Sequence, residues 1–307
     1  MRVPRPAEWS REAVRALART NRRVFTAGDL QRLLEGLQKA NTIPETISAR
    51  RFTEVMQVEA GLREEEVPSV ADTGEKPGPY RAFRRYVIGT ASPEELAVSL
   101  RPRSYLSHGS ALHAHGITEV QKDAVYVNQE QRPKLPARGM LTQQAIDRAF
   151  GNRARESRYV FENGGTRLVL LAGKHTGNHR VIELPHDGSD IALPVTDLPR
   201  TLVDVTVRPT YAGGPGVVLD AYRHAVSKAD PHALVVDLVS TLETLGHVYP
   251  YHQAIGFYLE MAGLRSVHLN ALQDRGIHYD FYLCNRIETP AYNPNWRVHV
   301  PQELMKA

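Results

Sequence analysis

Residues Thr26 to Leu62, TAGDLQRLLEGLQKANTIPETISARRFTEVMQVEAGL, set two amphipathic periods on either side of a short polar break. No other stretch constrains the chain as much. Thr26 and Asp29 have the spacing of a capping box, with Asp in place of the usual Glu. Behind them Leu30, Leu33, Leu34 and Leu37 recur at i, i+3, i+4 and i+7, which predicts one helical stripe. A second start signal stands at Thr42-Ile-Pro-Glu45: Thr42 as N-cap, Pro44 tolerated in the first turn, Glu45 three residues after the cap. Gly61 is placed to end that helix in a left-handed conformation. Two helices so short and so close are expected to form a helix-turn-helix.

On the second predicted helix, Thr42 to Ala60, one face gathers Ala49, Phe52, Val55, Met56 and Ala60. The opposite face gathers Thr46, Arg50, Thr53 and Gln57, flanked by Ser48 and Arg51. These are the side chains that read base edges: Arg for guanine, Gln for adenine, Thr for a methyl group or a phosphate. A solvated polar face accounts for the same pattern, so the neighbouring segments carry weight. Ser10 is expected to cap an earlier helix that runs to about Thr20. Leu62–Val67 and Tyr80–Ile88 read as two strands around the Pro/Gly-rich loop PSVADTGEKPGP. Three helices, a strand, a loop and a strand are the order of a winged helix-turn-helix. The wing would offer Lys76, and the returning strand Arg81, Arg84 and Arg85, to phosphates. Glu64, Glu65 and Glu66 run together on the first wing strand and would repel phosphates unless they face away or pair with those arginines.

Charge is distributed in the same sense. Residues 1–89 hold 16 Lys and Arg against 12 Asp and Glu, whereas residues 90–307 hold 22 of each, so the whole net charge of +4 lies in the first third. All 13 histidines lie between His108 and His299. The two parts are therefore expected to do different jobs, a DNA-binding unit over residues 1–89 and a larger mixed α/β unit over residues 90–307, in an α+β chain. Ser92-Pro93 is the expected helix start just beyond the boundary. Short strands and helices alternate as far as Ile191–Val195, with Asn163-Gly164-Gly165 as a hairpin turn. Helices are then expected from Asp197, Gly216, Asp230 and Tyr249, and strands at His278–Leu283 and Trp296–Val300.

No catalytic constellation emerges. The sequence has no HExxH and no GxxxxGK[ST], and its single cysteine, Cys284, can form no intramolecular disulfide. His113 and His115 are two apart on a predicted helix and so point to different sides. Asp280, Glu288 and His278 could be assembled into a metal-dependent nuclease only by assumption. His252, in YPYHQ, is expected to be a helix-start histidine bonded to backbone. The longest apolar runs are too short to span a bilayer and the N-terminus has no apolar signal core, so a cytoplasmic protein without cofactor or metal is expected.

Three segments together resemble the AbiEi family of antitoxins from type IV toxin–antitoxin systems of abortive phage defence: Ser104–Ile117, Leu198–Ala225 and Tyr249–Gly263. The end of the chain, Asp280–Leu283 followed by Trp296, adds a weaker match. The specific words are Arg-Pro…Gly-Gly in the second segment and Tyr-Pro-Tyr-His in the third. The resemblance implies an N-terminal winged helix-turn-helix that represses its own operon at inverted repeats in double-stranded operator DNA. It also implies a C-terminal domain that counteracts a nucleotidyltransferase toxin, AbiEii, and no enzymatic activity. Family DNA contacts carried onto this chain fall at Thr46, Arg50, Arg51, Thr53, Gln57, Lys76 and Arg81. Two other readings compete: a metal-dependent nuclease or other defence effector targeted by the winged helix, and a protein-interaction module.

Overall fold

The Thr26 capping box forms as the sequence predicts. In the computed structural model, which describes residues 8–70, 82–119, 123–133, 140–186 and 191–306, the Thr26 side chain accepts from the Asp29 amide at 3.1 Å. The Asp29 carboxylate accepts from the Thr26 amide at 2.8 Å. The elements of the N-terminal unit are α1 (Glu8–Ala18), β1 (Val24–Phe25), α2 (Ala27–Lys39), α3 (Ala49–Glu59), β2 (Arg63–Pro68) and β3 (Ala82–Val87). The three strands pair antiparallel in the order β1-β3-β2. Leu17, Phe25, Leu30, Leu34, Phe52 and Met56 form the core between the three helices and one face of this sheet.

Asp29 also accepts from Arg32 at 2.7 Å. Burial pushes its carboxyl up, but the Thr26 amide and hydroxyl, with Arg22, outweigh burial and hold it at about 2. A carboxylate depressed from its ordinary 3.8 contributes stability above that value and loses it as pH falls through about 2. Asp29→Asn is expected to cost about 1–2 kcal/mol near neutrality. Melting curves of the variant and the wild type should converge as pH falls from 5 to 2; a gap that persists at pH 2 would refute the assignment.

The second unit continues with α4 (Pro93–Ser99), β4 (Tyr105–Leu106), α5 (His108–Ala114), β5 (Ala124–Asn128), α6 (Gln143–Gly151), β6 (Val160–Asn163), β7 (Thr166–Leu171), β8 (Val181–Pro185) and β9 (Ala192–Thr196). Their six strands form one mixed sheet in the order β6-β7-β5-β4-β9-β8. There follow α7 (Leu198–Val207), α8 (Pro215–Lys228), α9 (Pro231–Leu245), α10 (Tyr251–Met261), α11 (Asn270–Gln273), β10 (Phe281–Tyr282), β11 (Pro290–Asn293) and β12 (Val298–Pro301). The last three strands make a small sheet, β10-β12-β11, packed on the helices around Trp296. The molecule is therefore α+β with several sheets, as its sequence suggests.

The two units share a core. Phe25 and Tyr86 of the first sheet, with Ile88 just after β3, face its helices, whereas Val24, Val67, Phe83 and Val87 join Leu96, Ala97 and Leu100 and residues of β5, β7 and β9 in another apolar cluster. The first sheet is thus covered on both faces. The two sheets also touch edge to edge, through a bridge between Ser69 and Phe161 and the Val70 amide donating to Val160 at 2.9 Å. At residue 90 the chain is held too, since Arg23 donates to the Thr90 carbonyl at 2.9 Å.

Candidate nucleic-acid interface

The helix expected from Thr42 begins seven residues later, at Ala49. Thr42 is used to stop α2: Asn41 takes a left-handed φ of 53°, the Asn41 amide donates to Gln38 and the Thr42 amide to Leu37, both at 2.9 Å. This is a Schellman closure, and it consumes the amide that a Thr42 N-cap would leave free. Ile43 drops into the core, and the Gln38 amide group bonds the Ile47 carbonyl at 3.0 Å, fixing the turn. Ser48 is the N-cap of α3, accepting from the Arg51 amide at 3.2 Å. Thr46 and Ser48 therefore lie on the turn and the cap, not on the helix as expected; both are exposed. Gly61 ends the helix with φ 65°, as expected.

Phe52 and Met56 anchor α3 in the core. The opposite face carries Arg50, Glu54, Gln57 and Val58, with Arg51 at one side and Thr53 at the other. The Arg50 side chain is 89% exposed and Val58 is 73% exposed. Thr53 turns its hydroxyl back to the Ala49 carbonyl at 2.9 Å, leaving its methyl group as the outward chemistry. Glu54 lies among the cations: Arg50 Nε donates to it at 3.0 Å, and Arg51 Nη1 stands 3.5 Å away. The helical wheel places Glu54 and Val58 on this stripe as well, beside the polar residues expected there.

The strands beside α3 account for two of the three acidic residues, while Glu66 stays exposed. Glu64 pairs with Arg84 at 2.8 Å, and Glu65, on the other face, accepts from Asn163 of β6 at 2.6 Å. Arg84 is exposed beside α3's side of the sheet but is neutralised by Glu64. Arg85 corrects the expectation outright. It is buried, donating to Ser99 Oγ at 2.8 Å, the Ser99 carbonyl at 2.7 Å and the Leu100 carbonyl at 3.0 Å. Strand alternation puts Phe83, Arg85 and Val87 on the face that α4 covers, so Arg85 clasps the two units and presents nothing to DNA. Lys76 and Arg81 lie outside the described residues.

A second concentration of charge lies in the other unit. Buried Arg200 on α7 pairs with Asp204 at 3.0 Å, donates to the His179 carbonyl at 3.0 Å and reaches the Tyr105 hydroxyl at 3.5 Å. Tyr105 accepts from Asn128 at 2.6 Å. Glu130 accepts from the amides of Thr176 at 2.7 Å, Gly177 at 2.9 Å and Asn178 at 3.2 Å, and from the Thr176 hydroxyl. These bonds tie the loop after β5 to the loop before β8 and to α7. Burial pulls His247 down to about 4, so it is neutral at physiological pH. His252 bonds the Gly276 carbonyl at 2.9 Å, as a helix-start histidine was expected to do. Asp280 is engaged by Arg297 at 3.0 Å and Tyr292 at 2.6 Å. Among the described residues no group of three His, Cys, Asp or Glu side chains is placed to hold a metal ion. None of their helices is long and apolar enough to cross a membrane.

Fold and surface together define an α+β protein with a helix, set after a tight turn, that exposes Arg50 and Arg51 paired with Glu54. No known protein family and no curated protein matches the chain. Among solved structures it is similar to the crystal structure of the RV2827C protein from Mycobacterium tuberculosis, with a TM-score of 0.52 at 14% identity over 98% of this chain and 95% of that one. At that identity the likeness concerns the fold alone.

Proposed function

We propose that the N-terminal unit is a winged helix-turn-helix that inserts α3 into the major groove of operator DNA, and that the chain acts by binding, as an autorepressor and antitoxin. The observation that carries this reading is α3 itself: it is anchored by Phe52 and Met56, comes after a Schellman-closed turn, and presents Arg50, Arg51 and Gln57 to solvent. The order of helices and strands, with β1 completing a three-stranded sheet, supports it. In this reading Ser48 and Thr46, at the N-terminal end of α3, meet backbone phosphates, where the helix dipole also favours an anion. The buried network of the second unit is occupied in holding loops together, which favours a recognition body over a reaction centre. Its partner in this reading is a nucleotidyltransferase toxin, counteracted in the manner of the AbiEi antitoxins.

Fluorescence anisotropy with a duplex from upstream of the protein's own gene tests this. Binding is expected to weaken steeply with salt. Arg50→Ala with Arg51→Ala is expected to lower affinity at least tenfold and to reduce the slope of log K against log salt by about 1 for each phosphate that is no longer neutralised. Unchanged affinity in the folded double variant would sink the assignment of α3. Co-expression with a neighbouring nucleotidyltransferase gene, scored for rescue of growth, tests the antitoxin half.

A further inference from the structure

The centre of the exposed face of α3 is acidic. Glu54 stands between Arg50, 3.0 Å away, and Arg51, 3.5 Å away, on a face completed by Gln57 and the methyl groups of Val58 and flanked by Thr53. A surface built only to grip phosphates would gain by losing this carboxylate, since it repels the backbone and occupies both guanidinium groups. The hydrogen bond from Arg50 leads in holding the Glu54 carboxyl below its ordinary value, so it is ionised and acts purely as an acceptor.

Resting on the DNA-binding reading above, we infer that Glu54 is a specificity-determining residue that selects a cytosine in the major groove. The only major-groove donors are the cytosine N4 and adenine N6 amino groups, and the matching partner for a carboxylate is cytosine N4. Arg50, released from Glu54 as the amino group takes its place, is free for guanine O6 and N7 on a neighbouring base pair. Against a wrong sequence or bare phosphate the ion pair stays closed and both charges are withheld. Non-specific binding is thereby weakened, and the device raises the ratio of specific to non-specific affinity rather than affinity itself. Val58 adds a second mark. It lies four residues further along the helix, about 6 Å in rise. At about 3.4 Å per base step that places its methyl groups about two base pairs from the cytosine, where they fit a thymine C5-methyl.

Selection from a randomised duplex pool with the full-length wild type, Glu54→Gln, Glu54→Ala and Val58→Ala tests this. The wild type is expected to enrich a site holding a cytosine with a thymine about two base pairs away. Glu54→Gln is expected to shift that cytosine to adenine, because a carboxamide pairs with adenine N6 and N7. Glu54→Ala is expected to lose the preference by about 5- to 150-fold while binding unselected DNA more tightly. Replacing the thymine by deoxyuridine should weaken the wild type and leave Val58→Ala unaffected. If the enriched site is the same in wild type, Glu54→Gln and Glu54→Ala, the role of Glu54 is overturned while DNA binding by α3 stands. A wild-type pool with no enriched site overturns the DNA-binding reading and this inference with it.

Discussion

Arg200→Leu is expected to destabilise the protein by about 3–5 kcal/mol, a loss of roughly 10 °C in melting temperature for a chain of this size. The leucine would fill much of the volume, so lost packing is a minor part of the cost. The main part is Asp204, whose side chain is 13% exposed and whose neighbouring cation is Arg200 at 3.0 Å. Burial already pushes the Asp204 carboxyl up, and Arg200 opposes that. Without Arg200 the carboxyl rises further. A group whose folded value lies above its unfolded value contributes stability below the unfolded value and loses it as pH rises through the folded one. The variant's deficit is therefore expected to be smallest near pH 4 and to grow towards pH 8. Adding Asp204→Asn should recover part of it near neutrality. Thermal melts of the wild type, both single variants and the double variant across that range decide the matter. A deficit that does not change with pH, or a double variant no better than Arg200→Leu, would show that the charge pair is not its source.

Much of this architecture is written locally in the sequence. The capping boxes at Thr26 and Ser92, the Asp197 and Asp230 caps and the left-handed Gly246 each satisfy backbone groups within a few residues, so spacing alone places them. The hairpin at Asn163-Gly164-Gly165 is legible for the same reason, its two glycines taking φ of 56° and 85°. The start of α3 was not, because Thr42 carries two competing signals: a helix start for the residues after it and a helix stop for those before it. The stop prevails, since Asn41 takes the left-handed turn and Leu37 accepts the Thr42 amide. Arg85 was illegible for a tertiary reason. A strand's alternation separates Arg84 from Arg85 but does not say which face meets solvent, and here a second unit covers the face that Arg85 occupies. β11, which the sequence did not suggest, is an edge strand beginning with a proline, where local propensity points away from a strand. The candidate interface was legible as a helix with Arg50, Arg51 and Gln57 on its outer side. Arg50 and Arg51 stand four and three residues before Glu54, so their ion pairs with it are of a kind that helical spacing makes legible.

Gly256→Ala is expected to destabilise the protein by about 3 kcal/mol, against the direction that helix propensity alone gives. Alanine normally stabilises an α-helix interior relative to glycine by about 1 kcal/mol. At position 256 on α10, however, an added Cβ would lie 2.2 Å from Cζ3 and 2.3 Å from Cη2 of Trp296. Such an approach is tolerable only if the ring can move, and Trp296 is pinned. Its indole nitrogen donates to Glu260 at 3.0 Å, its amide donates to Asn293 at 3.0 Å, and its carbonyl accepts from the buried Gln253 at 2.7 Å. Shifting the ring breaks these bonds; keeping them forces α10 away from the strand that comes after Trp296. Either route strains the core that holds α7, α8, α9 and α10 together. Chemical denaturation of Gly256→Ala and of Gly256→Ala with Trp296→Leu separates the causes. The second change costs several kcal/mol in the wild-type background but much less once the alanine is present, because the clash is relieved. Additive losses, or a Gly256→Ala protein as stable as the wild type, would show that the indole yields and that glycine at this position answers to something other than Trp296.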